Sequence, residues 1–131
     1  MRKEIKLKIE RRNRGTVSDC VIIITDQSIE YIENHPDETI HNIYRGTIVK
    51  GMTQRLNRMN PDEWNEEQFT ECSPIKGITW CLDVDDDGTV RTLNGTDRYP
   101  ENWPRFMDWV YMLRGERPET DKVEDHYPFV L

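Results

Sequence analysis

The sequence predicts an α+β fold, in which an antiparallel β-sheet built from hairpins carries helices on one face. Alternating or apolar runs separated by turn residues predict hairpins over 20–33 and 78–93. Apolar residues at helical spacing follow residue 51, and a clear amphipathic stripe covers 103–114. This order of elements favours a sheet with helices on one side. No repeat or linker divides the chain, so residues 1–131 are expected to form a single domain.

The N-terminal half is expected to be mostly β-structure. Over residues 3–12, Ile5, Leu7 and Ile9 alternate with charged residues, which predicts a half-buried strand whose lysines would discourage pairing at a sheet edge. A buried run at 20–25 and an alternating run at 28–33 predict the next two strands. Residues 36–60 stay open between strand and helix, with 44–49 as a possible strand and Met52, Leu56 and Met59 at helical spacing.

In the C-terminal half, two helix starts accompany the hairpin. Asn60-Pro61 resembles a cap followed by the first residue of a short helix, which would turn Trp64 and Phe69 toward the core. In the helix at 103–114, Asn102 is the candidate N-cap and Gly115 the stop. The tail, 116–131, is polar but ends in an apolar segment, and we expect it to dock onto the body or onto a partner.

The charge is distributed unevenly. The chain has a net charge of −7, but residues 1–14 hold seven basic and two acidic side chains, which leaves the remainder with 11 basic and 23 acidic ones. The basic segment at 1–14 is interpreted as a solvated strand face, because a body of about −12 disfavours the phosphate backbone of nucleic acids. This body predicts a protein partner, and a basic one.

Three cysteines without a close pair suit a reducing compartment. The basic N-terminal segment lacks the apolar region of a signal peptide, and no run approaches the length of a membrane span. We therefore expect a cytoplasmic protein without membrane association. The oligomeric state stays open.

Residues 83–88 match the opening of a calcium-binding loop, with Asp83, Asp85 and Asp87 at the ligand positions. The position that requires a bidentate glutamate holds Asn94, and the flanks are predicted strands. A hairpin turn is the favoured interpretation. A weak divalent-metal or small-ligand site at this turn remains the alternative.

Catalysis finds little support in the sequence. It contains no nucleophile elbow, phosphate loop or paired zinc-ligand motif. Cys20 and Cys81 lie in apolar strand context and are expected to be inert core residues. We therefore predict a protein that is not an enzyme and needs no cofactor.

The candidate partner-binding residues are of two kinds. Trp109 and Tyr111 lie off the main stripe of their helix, so that helix is either buried on two sides or offers a contact surface. The others are carboxylates in clusters that suit an acidic docking surface: Glu66, Glu67, Asp85, Asp86 and Asp87.

Residues 79–114 contain a Trp80-Cys81-Leu82 strand, a turn at Gly88, and Gly95 followed by Tyr99-Pro100-Glu101-Asn102-Trp103 at a helix entry. This stretch resembles the C-terminal signature of small bacterial domains of unknown function. The resemblance implies structural roles, with Gly95 forming a turn and Tyr99-Pro100 and Asn102 leading into the helix, and no activity. In composition alone, the chain resembles toxin-immunity proteins, phage inhibitors of host defence such as anti-CRISPR proteins, and DNA mimics. The leading hypothesis is an acidic inhibitor or immunity-type factor, with an accessory domain of a larger bacterial or phage assembly as another alternative.

Overall fold

A computed structural model describes residues 2–71 and 76–115 of the chain. Within these residues the protein forms six β-strands, two α-helices and two short 3₁₀ turns, which confirms the predicted α+β class. The predicted docking of the tail lies outside the described residues. The elements are β1 (Arg2–Arg11), β2 (Thr16–Thr25), β3 (Ser28–Asn34), β4 (Thr39–Arg45), α1 (Thr47–Met59), the 3₁₀ turns Pro61–Glu63 and Glu66–Gln68, β5 (Ile78–Asp86), β6 (Thr89–Thr96) and α2 (Trp103–Arg114).

The strands form one antiparallel sheet in the order β4-β3-β2-β1-β5-β6. The prediction that the lysines of β1 guard a sheet edge is wrong, because β5 returns beside β1 and places it in the interior. Acidic residues of the flanking strands oppose the basic row of β1, with Lys8 opposite Asp19 and Lys6 opposite Asp83. Neighbouring strands therefore offset much of the positive charge that the sequence concentrates in residues 1–14.

Strand alternation separates a core face from an open face. The inward side chains of β1, β2, β3, β5 and β6 join those of both helices in one buried cluster, which includes Ile5, Ile22, Tyr31, Leu82 and Leu93. On the other face, the side chains of the same strands are half-buried or exposed, and no described helix covers them. No helix in the described part of the chain is long and apolar enough to cross a membrane.

The segment left open between strand and helix contains both, since β4 ends at Arg45 and α1 begins at Thr47. Asn60 does not cap a new helix. It ends α1 in the left-handed conformation (φ 51°), and two 3₁₀ turns follow in place of the predicted short helix. Trp64 and Phe69 are nevertheless buried, as predicted.

Of the two residues predicted to end α2, only Gly115 has the predicted role. Gly115 ends the helix at φ 93°, as expected for its stop residue. Asn102 forms no side-chain cap, because its Nδ2 donates instead to the carbonyl of Met59 at the end of α1 (3.2 Å). Asn102 therefore ties the two helices together.

Side chains of β4 satisfy the carbonyls at the end of α2. Asn42 Nδ2 donates to the carbonyls of Leu113 (3.1 Å) and Arg114 (3.0 Å), and the Tyr44 hydroxyl donates to Leu113 (2.7 Å). The last carbonyls of a helix have no partner within the helix, so these contacts attach α2 to the β4 side of the sheet.

A buried carboxylate strengthens the same attachment. Glu33 is 1% exposed, and it accepts hydrogen bonds from Arg114 Nε (2.9 Å) and Nη2 (3.2 Å), from the Tyr31 hydroxyl (2.5 Å) and from His35. Burial alone would raise the pKa of Glu33, but the hydrogen bonds from Arg114, Tyr31 and His35 outweigh burial and lower that pKa. The carboxylate is thus ionised and paired.

The β5–β6 hairpin closes within the predicted turn region 83–88, through a loop of two residues. Asp87 and Gly88 both have positive φ, 50° and 95°, the combination that a type I′ turn requires. Beyond the turn, Gly95 lies directly opposite Trp80. A Cβ on Gly95 would come within 2.4 Å of both the Trp80 indole nitrogen and the Arg98 carbonyl, so the sequence-based turn role of Gly95 is wrong. The lack of a side chain at Gly95 leaves room for the Trp80 indole.

We expect Gly95→Ala to destabilise the protein by about 1–3 kcal/mol, because neither the Trp80 ring nor the Arg98 backbone can move without disturbing the core. Gly51→Ala is the matched control, since a Cβ there meets open space on α1 and should stabilise by about 0.5–1 kcal/mol. Urea unfolding measures both. Equal effects of the two substitutions would contradict the role assigned to Gly95.

We expect Glu33→Gln to cost about 3 kcal/mol at neutral pH, because it leaves Arg114 without its charged partner. The lowered pKa makes the contribution of Glu33 fully present above the ordinary glutamate pKa of 4.5, and lost as pH falls through the lowered value. The difference in unfolding free energy between wild type and variant should therefore shrink on acidification. A difference that stays constant from pH 7 to strongly acidic pH would argue against an ionised Glu33.

Candidate functional site: an acidic edge beside the hairpin

The segment between α1 and β5 is fastened alongside β6. The Arg91 guanidinium donates to the carbonyls of Asp62 and Trp64, and Arg98 Nη2 donates to the carbonyl of Phe69 (2.6 Å). In the other direction, Glu66 accepts the backbone N–H of Asn94 in β6 (2.7 Å). These contacts set the acidic residues of 62–67 at this border of the sheet.

One lysine joins that segment to the hairpin. Lys3 Nζ lies 3.8 Å from a carboxylate oxygen of Asp62 and 3.9 Å from one of Asp86. Lys3 itself is only 7% exposed. Two acidic segments, 62–67 and 85–87, therefore meet at this border of the sheet through Asp62 and Asp86, which are more than twenty residues apart in sequence. Asp85 lies on the open-face side of β5, in register with Glu4. We call this border the acidic edge, and its carboxylates are Asp62, Glu63, Glu66, Glu67, Asp85, Asp86 and Asp87.

Several of these carboxylates also have structural partners. Asp85 accepts the N–H of Gly88 (2.8 Å) and Asp87 accepts the N–H of Arg2 (2.8 Å), so both stabilise the hairpin end. Glu63 and Glu67 are exposed, and their side chains form no hydrogen bond or ion pair with another described residue. They are the members of the acidic edge most available to a partner.

A cleft of about 350 Å³ opens next to the acidic edge. It lies between the end of α1, the two 3₁₀ turns and residues 100–102, and Glu63 and Glu101 contribute its carboxylates. Trp64 forms part of the wall. The cleft gives this border of the molecule a concave element beside its negative charge.

The structure excludes Trp109 and Tyr111 from any contact surface. Trp109 is 0% exposed and Tyr111 4% exposed. The Trp109 indole donates to the carbonyl of Met52 (2.9 Å), because α1 packs against the flank of α2 that lies off the main stripe. Of the two readings of these residues, burial on two sides is the correct one.

The three aspartates of the calcium-loop pattern do not converge on a common point. Asp83 accepts from the Thr92 hydroxyl (2.7 Å), whereas Asp85 and Asp87 accept the backbone N–H groups of the hairpin end. Across residues 2–71 and 76–115, no group of three or more His, Cys, Asp or Glu is arranged to hold a metal ion. The arrangement favours the hairpin interpretation.

Burial raises the pKa of both described cysteine thiols, that of Cys20 to about 12. Cys20 is 2% exposed and lies in the core, as predicted. Cys81 was expected in the core as well, but it is half-buried on the open face, in alternation with the inward Trp80 and Leu82. A raised pKa keeps a thiol protonated and suits neither residue to nucleophilic attack.

Lys3, Asp62 and Glu63 belong to the site but were not among the candidates from sequence. A signal for Lys3 was present, since it is in phase with Ile5 and Leu7 and therefore falls on the buried face of β1. A buried lysine requires carboxylate partners. The identity of these carboxylates follows only from tertiary structure: the pairing of β1 with β5 supplies Asp86, and the segment held by Arg91 supplies Asp62.

No protein-family model matches the chain, and no match was found among curated proteins.

We expect Lys3→Met to destabilise the protein by about 1 kcal/mol at low ionic strength, because the carboxylates of Asp62 and Asp86 lose the cation between them. The loss should shrink as salt screens their repulsion. Lys6→Met is the matched control, as it removes the same charge from a side chain that is 60% exposed on the open face. Equal effects of both variants, with equal salt dependence, would show that Lys3 has no special role.

Proposed function

We propose that this protein is a non-enzymatic binding protein whose acidic edge docks onto a basic surface of another protein, as an inhibitor or immunity-type factor would. The observation that carries the proposal is that Lys3 lies between Asp62 and Asp86 and so brings the acidic segments 62–67 and 85–87 to one border of the sheet. Convergent carboxylates speed association with a basic partner and select against acidic ones.

The cleft beside the edge supports the same function. Its lining holds two carboxylates, Glu63 and Glu101, and one cation, Arg58, so the excess of negative charge suits a lysine or arginine side chain projecting from the partner. An anchor of this kind, buried in a pocket and surrounded by polar contacts, is the usual source of affinity in protein interfaces.

The charge arrangement favours a protein partner over a nucleic acid. The basic row of β1 is flanked by Asp19 on β2 and Asp83 on β5, so it offers no continuous cationic track for phosphates. The absence of catalysis is part of the proposal and is supported by the protonated, buried thiol of Cys20.

The test is a pull-down from host lysate at about 50 mM and about 300 mM salt, with bound proteins and nucleic acid both identified. The bait is compared with the double variant Glu63→Lys/Glu67→Lys, which reverses two exposed carboxylates that have no bond to lose within the described residues. The control, Glu10→Lys/Asp19→Lys, makes the same charge change on the open face of the sheet.

We expect one basic protein to be retained by wild type and control, released at the higher salt concentration and lost from the acidic-edge variant. Equal retention by all three baits, or retention that salt does not affect, would contradict the proposal. A stable assembly held through another surface would favour the accessory-domain alternative.

A further inference from the structure

The outer side of β4 carries backbone groups without partners in the described part of the chain. The N–H of His35 donates to the carbonyl of Glu38 (2.8 Å), which makes this pair at the β3–β4 turn a hydrogen-bonded one. Hydrogen-bonded and non-hydrogen-bonded pairs alternate along an antiparallel ladder. Continuing that alternation from the turn, the residues of β4 that direct their N–H and C=O groups away from β3 are Thr39, His41, Ile43 and Arg45.

The two edges of the sheet differ in their protection. At β6, Glu66 occupies the N–H of Asn94, and Arg91 holds the neighbouring segment in place. β4 lacks proline, lysine and acidic residues, and its register with β3 runs from Thr39 to Arg45 without a bulge. Natural sheets usually cover, charge or distort an edge that must stay unpaired, and β4 has almost none of these features.

One exposed apolar side chain belongs to this unprotected edge. Ile43 is 46% exposed on the open face of the sheet. Ile48 (44%) in the first turn of α1 and Met112 (45%) in α2 are exposed on the helical side, where the Met112 sulfur lies 2.7 Å from Arg55 Nη1. A strand that paired with β4 would cover part of the exposed Ile43 side chain.

We propose that β4 is a dimerisation strand, which pairs antiparallel with β4 of a second copy of this chain about a two-fold axis at Asn42. In this register His41 pairs with Ile43 of the second copy, and Thr39 pairs with its Arg45. Every residue of β4 that directs its backbone N–H and C=O groups away from β3 therefore pairs with another such residue. Four such pairs with two bonds each would form about eight backbone hydrogen bonds. The same side chains would form an isologous contact, the commonest kind in homodimers.

The charges around β4 complement one another in this register. The strand itself carries no acidic residue, although the chain has a net charge of −7. Asp37 and Glu38 precede β4 and would lie beside Arg45 of the second copy, on both sides of the axis. The acidic edges lie at the opposite border of each sheet and stay accessible, so dimerisation is independent of the proposed function.

The experiment is sedimentation equilibrium of the full chain over roughly 1–100 µM, a range that reveals micromolar dissociation constants. We expect wild type to approach twice the chain mass of 15.7 kDa. Ile43→Lys should weaken dimerisation at least tenfold by placing a charge at the pairing edge. Val90→Lys is the control, because Val90 is 61% exposed on the other edge strand and the substitution should leave the dimer intact. Urea unfolding verifies that both variants fold.

Hydrogen exchange then locates the interface. In the dimer, the amides of His41 and Ile43 should exchange more slowly as protein concentration rises, and Ile43→Lys should abolish this dependence. A wild-type chain that stays monomeric overturns the proposal, whether those amides exchange rapidly or are protected by something else. A dimer that both lysine variants leave unchanged, or whose β4 amides exchange at a rate independent of concentration, overturns it as well.

Discussion

The indole of Trp80 holds together the half of the molecule on which the acidic edge depends. It lies over Gly95, donates to the carbonyl of Arg98 (2.9 Å) and packs at a tilt against Trp103 at the start of α2, with the ring centroids 4.3 Å apart. Phe69 packs on the same ring at 5.5 Å and fixes the end of the segment that carries the acidic residues. Clustered aromatic rings contribute large buried areas, so this contact adds to the hydrogen bonds from Arg91 and Arg98 that hold the long irregular connection in place.

The opposite half is organised by polar contacts. There α2 is attached to the sheet through its last carbonyls and through Arg114, which meets the buried Glu33. A buried ion pair of this kind adds less net stability than packed apolar groups, but it disfavours every arrangement in which one of its charges is left alone. Aromatic packing at one end of α2 and paired charges at the other fix the helix across the sheet.

The two functional proposals use different borders of the sheet for related physical reasons. At β6, Glu66 already accepts a backbone N–H of the edge strand, so this border would bind a partner through its charged side chains. At β4 nothing in the described chain occupies the outer backbone groups, so this border provides free backbone hydrogen-bonding groups beside the exposed Ile43. A protein that docks by one border and dimerises by the other would present two acidic edges to its targets.

Much of the local structure was predictable. The alternation of Ile5, Leu7 and Ile9 determined a strand and its inward face, and Asp87-Gly88 determined a hairpin turn, because both depend on backbone geometry within a few residues. The capping predictions for Asn60 and Asn102 were wrong, because Asn60 ends α1 in the left-handed conformation and Asn102 donates to the carbonyl of Met59. Trp109 and Tyr111 could not be placed, since their burial requires α1 on the flank of α2. The sequence by itself determined the class of fold, the strand faces and the excess of acid. Only the tertiary structure decided that β1 is an interior strand and that Lys3 joins two distant acidic clusters, because strand order and long-range pairing depend on contacts that no local pattern encodes.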